Sequence, residues 1–288
     1  MKQLVLLSVG IFGILNITIA QDSMNISSST MSHTQISSFP PVRYPYKTTF
    51  KKDAPVIIVA SGLAYIGNNL IKHKAPLTQA ELATKTEDKI PFFDRGNAGY
   101  YDNNLNKVSY IPMLGSFPLP LIMILANKNE RRNASQILVM YLETEAITAG
   151  LYTMVNGSTN RPRPLVYGTT APIGERLNKN NQRSFYAGHT ASSASATFFA
   201  AKVFSDLNPD SKAKPYVWVV AAAIPAVVGY MRYQSGFHFL SDNILGYAIG
   251  AATGILVPQW HKKKHDNVSF APEIGNGYRG IAVTYHLK

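Results

Sequence analysis

Long apolar segments separated by short polar connections occupy the chain from about residue 54 to residue 260. In most of them apolar residues recur every three or four positions, the spacing of an α-helix. The pattern predicts helices at 54–73, 78–86, 108–127, 132–156, 189–206, 214–233 and 239–258. The segment 278–287 instead alternates apolar and polar residues, which predicts a short C-terminal strand. We therefore expect an all-α fold, a single bundle of about six core helices, to which this strand is appended.

The first 20 residues have the pattern of a secretory signal peptide. Lys2 supplies a positive charge, an apolar stretch follows from Leu4 to Leu15, and small residues end at Ala20. An N-terminal membrane anchor is the alternative, although this stretch is shorter than the roughly 20 residues of a span. The predicted order is a signal peptide at 1–20, a polar tail at 21–53, a helical domain at 54–260 and a C-terminal tail at 261–288. We expect an exported protein, periplasmic or membrane-associated and facing outside the cytoplasm.

Three uncharged runs approach the length of a membrane span. They are Val108–Asn127, Pro215–Met231 and Asn243–Trp260. Buried helices of a soluble bundle would explain such runs as well, and Glu143 and Glu145 interrupt another apolar helix. We expect a domain that is soluble or loosely bound to a membrane surface.

Composition narrows the chemistry that the chain can perform. Among its 288 residues there is no cysteine, which excludes disulfides, thiolate catalysis and thiolate metal sites. The formal charge of +12 favours anionic partners such as phosphate esters, acidic lipid head groups or nucleic acid. A basic, soluble surface would account for the same charge.

Two basic segments are suited to an oxyanion. Arg161 and Arg163 alternate with prolines, which stiffen the backbone and hold two guanidinium groups at a fixed spacing. Further along, Gly188 lets the backbone come close to a ligand, and His189 follows it at the predicted start of a helix, where free N–H groups favour an anion. A basic surface loop and a buried or capping histidine are the structural alternatives.

The third segment contains Arg232, His238 and Asp242, spaced six and then four positions apart. On a helix, His238 and Asp242 would lie on one face. The carboxylate could then accept the Nδ1 proton and leave Nε2 free as a nucleophile. A stabilising His–Asp helix pair is the structural alternative.

Taken in order, the three segments resemble the type 2 phosphatidic acid phosphatase superfamily, which includes lipid phosphatases, bacterial class A acid phosphatases and vanadium haloperoxidases. The family pattern is Lys-x6-Arg-Pro, then Pro-Ser-Gly-His, then Ser-Arg-x5-His-x3-Asp. The matching core runs from about residue 140 to about residue 245. The resemblance implies a phosphomonoesterase that needs no metal or other cofactor and forms a phosphohistidine.

The resemblance also assigns roles to individual residues. His238 would attack phosphorus, Asp242 would orient it, and His189 would protonate the leaving alcohol. Arg163 and Arg232 would bind the phosphate oxygens. The expected partners are a phosphate-ester substrate, in particular a lipid, and a membrane surface, but no nucleic acid.

The chain departs from the family pattern at three positions. Asn156 stands at the lysine position, Ala187 at the serine before Gly-His, and Met231 at the serine before Arg232. Arg161 is the nearest replacement for the missing positive charge. Three functions remain open: a phosphatase acting on a lipid phosphate or other organic phosphate outside the cytoplasm, a vanadate-dependent haloperoxidase, and a non-catalytic relative that binds phosphate or lipid.

Overall fold

Eleven α-helices and one β-hairpin make up the part of the chain that the computed structural model describes, residues 45–263, 268–275 and 278–285. The predicted signal peptide and the tail up to residue 44 lie outside these residues. The helices are α1 (Phe50–Lys72), α2 (Gln79–Ala83), α3 (Asn103–Val108), α4 (Tyr110–Ser116), α5 (Leu119–Ala126), α6 (Lys128–Arg132), α7 (Ala134–Ser158), α8 (Ile173–Leu177), α9 (Gly188–Leu207), α10 (Lys214–Gln234) and α11 (Leu240–His261).

The predicted all-α class is confirmed, and α7, α9, α10 and α11 lie within a few residues of their predicted bounds. The predicted helix at 108–127 is wrong, because it is divided between α4 and α5, and α3 lies ahead of it. Pro118 and Pro120 supply no backbone N–H, which interrupts the helical hydrogen bonds there. Helix α1 begins four residues before its predicted start, where the Asp53 carboxylate accepts the Thr49 N–H at 2.6 Å.

A two-stranded antiparallel hairpin lies within the predicted C-terminal tail. It pairs β1 (Val268–Gly275) with β2 (Tyr278–Tyr285), so that Val268 lies opposite Tyr285. Strand β2 falls on the segment whose alternation predicts a strand. Its partner β1 has no such prediction.

Helices α7 and α9 occupy the centre of the bundle. Helix α7 packs against α1, α9 and α11, and α9 also packs against α10 and α11. The contact between α9 and α11 is unusually close because α11 carries a glycine every fourth residue. A Cβ at Gly250 would lie 2.1 Å from the Ala191 carbonyl oxygen, so a larger residue cannot fit without separating the helices.

Four segments of the described chain are long and apolar enough to cross a membrane: Phe50–Lys72, Asn103–Ala126, Lys214–Gln234 and Leu240–His261. Only 17% to 39% of their apolar windows is buried within the bundle. Of the two explanations left open for the apolar runs, burial in a soluble bundle does not account for them. So much exposed apolar surface requires a nonpolar environment, and the protein is membrane-associated.

The three motifs meet at one end of this bundle. Helix α7 ends there and α9 begins there, while α10 ends and α11 begins beside them. Each motif lies in a connection between these helices or in the adjoining turn. The bundle therefore holds together residues that are up to about 80 positions apart in the chain.

Candidate active site

A polar pocket of about 300 Å³ opens at this end of the bundle. It brings together four of the predicted residues, Arg163, His189, Arg232 and His238, with Arg183 as a fifth. The remaining lining residues are mostly amides and phenols: Asn103, Asn106, Tyr110, Tyr152, Glu175, Asn178, Asn180, Asn181 and Phe237. Arg161, Gly188 and Asp242 do not line it.

A tight turn between α10 and α11 delivers Arg232 and His238 to the pocket. Gly236 makes this turn with φ +75°, and a Cβ there would lie 1.8 Å from the Tyr100 carbonyl oxygen. Only glycine fits both the conformation and the space. The Asn97 amide then donates to the His238 carbonyl at 3.0 Å, which fixes the backbone of the proposed nucleophile.

The orientation of His238 differs from the prediction. His238 lies before α11 rather than on it, and its Nδ1 bonds to the Ser184 carbonyl at 2.6 Å. The Asp242 carboxylate is 3.8 Å from Nδ1, so it is not the hydrogen-bond acceptor. Asp242 instead accepts from the Ser184 hydroxyl and from the Phe239 N–H at 2.9 Å. The ring therefore donates from Nδ1 to the Ser184 carbonyl and leaves Nε2 free for a ligand. Asp242 is linked to the ring through Ser184 and not by a direct hydrogen bond.

Arg161 does not line the pocket, so nothing in the arrangement supports its predicted role as a phosphate ligand. Its guanidinium bonds to two fully buried carboxylates, Asp242 and Asp94, the latter at 2.5 Å. It also lies 4.6 Å above the Phe239 ring. Two buried carboxylates need a counter-charge, so this arginine is held in the structure and is not free for a ligand. Asp94 lies outside every motif, and no pattern around it predicts this contact.

Three arginines converge on the pocket with hydrogen-bonding capacity to spare. The Nε atoms of Arg163, Arg183 and Arg232 are buried and have no hydrogen-bond partner among the described residues. Arg163 and Arg232 both lie 4.8 Å from the Phe237 ring centroid. Burial, followed by the charges of Arg232 and Arg183, lowers the pKa of Arg163 to about 9. The crowded cations therefore favour an anion strongly.

Arg183 is the pocket residue that the sequence analysis missed. Asn156, at the position of the family lysine, cannot supply a charge, but its amide donates to the Arg183 and Phe185 carbonyls, both at 3.1 Å. It thereby anchors the segment that brings Arg183 into the pocket. The position of Arg183 a few residues ahead of Gly188 and His189 was the feature of the sequence that could have indicated a pocket residue.

Packing accounts for two small residues of the second motif. A Cβ at Gly188 would lie 2.5 Å from the Tyr152 ring, so the glycine leaves room for a residue that lines the pocket. Ala187 is fully buried, and its N–H donates to the Asp242 carbonyl at 3.0 Å. Binding of phosphate by the Gly188 backbone stays a prediction.

His189 faces the pocket from the first turn of α9. Its Nε2 is buried without a hydrogen-bond partner, and its ring meets the edge of Tyr110 at a centroid distance of 4.3 Å. Burial, then the nearby charge of Arg232, lowers the pKa of His189 to about 2. The same two causes hold the pKa of His238 well below its usual value. Both imidazoles are thus neutral in the free pocket.

The PAP2 superfamily model matches residues 137–266, a range that includes all three motifs. The predicted resemblance is confirmed over these residues. A solved structure, the first transmembrane PAP2 type phosphatidylglycerolphosphate phosphatase from Bacillus subtilis, is 20% identical over 74% of this chain and 96% of that chain, with a TM-score of 0.42. No curated protein matches the chain.

The different positions of the two arginines predict different effects of substitution. Arg183→Met should weaken binding of orthophosphate or vanadate by about tenfold to hundredfold, since it removes a charged donor, and should leave the melting temperature close to the wild-type value. Arg161→Met should lower stability by about 3 kcal/mol or more, because it leaves Asp94 and Asp242 buried without their counter-charge.

Thermal unfolding of both variants in detergent, with and without the anion, measures these two effects. Wild-type anion affinity in Arg183→Met, or a wild-type melting temperature in Arg161→Met, would contradict the assignment.

Proposed function

We propose that the protein is a phosphomonoesterase that hydrolyses a lipid phosphate through a phosphohistidine on His238. The observation that carries the proposal is the pocket itself. Three arginines whose Nε donors are unused surround two neutral histidines. One of these, His238, donates from Nδ1 to the Ser184 carbonyl, which leaves its Nε2 free. The match of residues 137–266 to the PAP2 superfamily model supports the same reaction class.

The first step is attack of His238 Nε2 on phosphorus. The bond from phosphorus to the ester oxygen breaks as the N–P bond forms, and His189 donates a proton to the departing oxygen. Arg163, Arg183 and Arg232 bind the remaining phosphoryl oxygens and stabilise the charge that develops on them. In the second step His189 accepts a proton from water, the water oxygen attacks phosphorus, and the N–P bond breaks to release phosphate. The pocket must lower the barrier by about 20 kcal/mol in total.

The proton that His189 donates has to enter with the substrate. Because both histidines are neutral in the free pocket, neither holds a spare proton before the substrate binds. A phosphate monoester carries a proton below its second pKa of about 6. Once bound, its negative charge offsets the arginines that disfavour a protonated His189, so the proton can pass to the imidazole.

A lipid is the substrate class that best fits the surroundings of the pocket. The pocket lies between the end of α10 and the start of α11, and the outer faces of both helices are apolar and exposed, as at Val219, Tyr230 and Ile244. A lipid in the surrounding membrane would therefore present its phosphate beside the pocket without leaving the bilayer.

We further propose that the pocket faces the outside of the cytoplasm. The predicted signal peptide supports export of the domain to that side of the membrane.

Phosphate release from p-nitrophenyl phosphate and from lipid phosphates by the purified full chain tests the activity. We expect release that vanadate inhibits and that His238→Ala lowers by at least about 1000-fold. His73→Ala is the matched control, because His73 is exposed and bonds only to the Asn69 carbonyl of its own helix. Intact cells should hydrolyse externally added p-nitrophenyl phosphate, and activity that appears only after permeabilisation would reverse the proposed orientation.

Other outcomes of this assay separate the alternatives. Oxidation of halide by peroxide in the presence of vanadate, without phosphate release, would indicate a haloperoxidase. Phosphate binding without either reaction would indicate a non-catalytic relative.

The proton balance predicts an acidic optimum for kcat/KM. The pKa of His238 is lowered, so the neutral nucleophile persists as the pH falls well below 6.5. Above about pH 6 the substrate monoanion disappears, and kcat/KM should fall by about tenfold per pH unit. A pH profile measured with an alkyl phosphate checks this. An optimum above pH 8 would show that His189 holds its own proton in the free enzyme.

A further inference from the structure

Three buried ionisable side chains meet at the opposite end of the bundle from the pocket. They are Asp53 in the first turn of α1, Glu143 in α7 and His261, the last residue of α11. About 28 Å of helix α11 separates His261 from Asp242, so this cluster is distinct from the candidate active site. None of the three sequence motifs includes any of its residues.

The distances within the cluster are those of ligands around a metal ion. Nε2 of His261 lies 3.2 Å from an oxygen of Asp53 and 3.2 Å from an oxygen of Glu143. Charge-assisted hydrogen bonds are usually shorter, about 2.7–2.9 Å, and one N–H shared between two acceptors is poorly aligned with each of them. Metal bonds of about 2.1 Å place neighbouring ligand atoms about 3.0–3.4 Å apart, which includes the observed spacing.

The other ring nitrogen of His261 is held so that Nε2 faces the two carboxylates. Nδ1 bonds to the Val257 carbonyl at 2.9 Å, and because a carbonyl only accepts, Nδ1 is the donor in this bond. Nε2 is therefore the nitrogen that can offer a lone pair to an ion between Asp53 and Glu143. A backbone carbonyl that holds the far nitrogen in this way is the usual support for a metal-binding histidine.

The carboxylate of Glu143 is an independent indication that a cation binds at this cluster. Its side chain is fully buried, and neither oxygen has a hydrogen-bond partner among the described residues. Burying a carboxylate without hydrogen bonds is costly, and Asp53 adds a second buried carboxylate beside it. A divalent cation would neutralise both and would complete the bonding of Glu143.

A small cavity gives access to the cluster. It has a volume of about 180 Å³, is lined by both Asp53 and His261, and opens between lysines, among them Lys47, Lys52 and Lys262. The space allows water to complete the coordination of an ion. The lysine charges lie at the solvated rim, where salt screens them, whereas the two carboxylates act from the buried side.

We propose that Asp53, Glu143 and His261 bind one divalent transition-metal ion, with Zn²⁺ the best match to one imidazole and two carboxylate ligands. Imidazole favours Zn²⁺ over Mg²⁺ or Ca²⁺, which prefer all-oxygen sites. The ion would fasten the first helix α1 to α7 and α11, and it takes no part in phosphate-ester hydrolysis. The site does not depend on the proposed function.

Metal analysis and thermal unfolding of the full chain, purified in detergent without a polyhistidine tag, test the site. We expect about one Zn²⁺ per chain after exposure to Zn²⁺ and removal of the excess. Adding Zn²⁺ to EDTA-treated protein should raise the melting temperature by about 5 °C or more, and Mg²⁺ should not. Glu143→Gln and Asp53→Asn should abolish both effects.

Glu145→Gln is the matched control. Glu145 is a partly buried carboxylate two residues along the same helix, bonded to Ser195 and outside the cluster, so this variant should bind Zn²⁺ as the wild type does. If the cluster variants do not fold, X-ray absorption of the wild-type protein with Zn²⁺ still decides, because the site requires a single imidazole among oxygen ligands. Absence of bound metal and of any Zn²⁺-dependent stabilisation in the wild type would overturn the proposal.

Discussion

The carboxylate of Asp242 is the interaction on which the rest of the site depends. One oxygen bonds to Arg161 of the first motif, and the other accepts from Ser184 of the second motif and from the Phe239 N–H of the third. A single buried charge therefore joins three segments that are distant in the chain. Because Ser184 in turn holds the His238 ring by its carbonyl, the orientation of the proposed nucleophile follows from this network.

The arginine positions divide into two roles that the primary structure does not distinguish. Arg161 balances the buried negative charge of Asp94 and Asp242, whereas Arg163, Arg183 and Arg232 leave buried donors unused. The first arrangement is electrically complete and stabilises the fold. The second is incomplete, because Glu175 is the only carboxylate among the described residues that line the pocket. A bound oxyanion would balance the charge of these arginines. Its negative charge would also raise the pKa values of His189 and His238, which burial and the arginines lower.

How far the sequence predicts this protein depends on the range of each interaction. Helical periodicity predicts α7, α9, α10 and α11 because their packing faces are local features of the chain. The resemblance of the three motifs to the family pattern predicts Arg163, His189, Arg232 and His238 as pocket residues.

Contacts between distant segments are beyond such reasoning. No pattern near Asp94 indicates that its carboxylate bonds to Arg161. The spacing of His238 and Asp242 does not show that Ser184 links them, by its carbonyl to the ring and by its hydroxyl to the carboxylate. The lysine position carries Asn156, and only the folded chain shows how the positive charge is supplied from Arg183 instead. The apolar runs were ambiguous in the same way, since the sequence does not tell which helical faces find partners.

If His238 carries the phosphoryl group during turnover, a covalent intermediate on this residue can be trapped. His189→Ala should be exposed briefly to p-nitrophenyl phosphate, whose leaving group departs without a proton donor, and then denatured in base. We expect an acid-labile, base-stable phosphate on the peptide that contains His238. Turnover with no such phosphate, or with phosphate on another residue, would contradict this expectation.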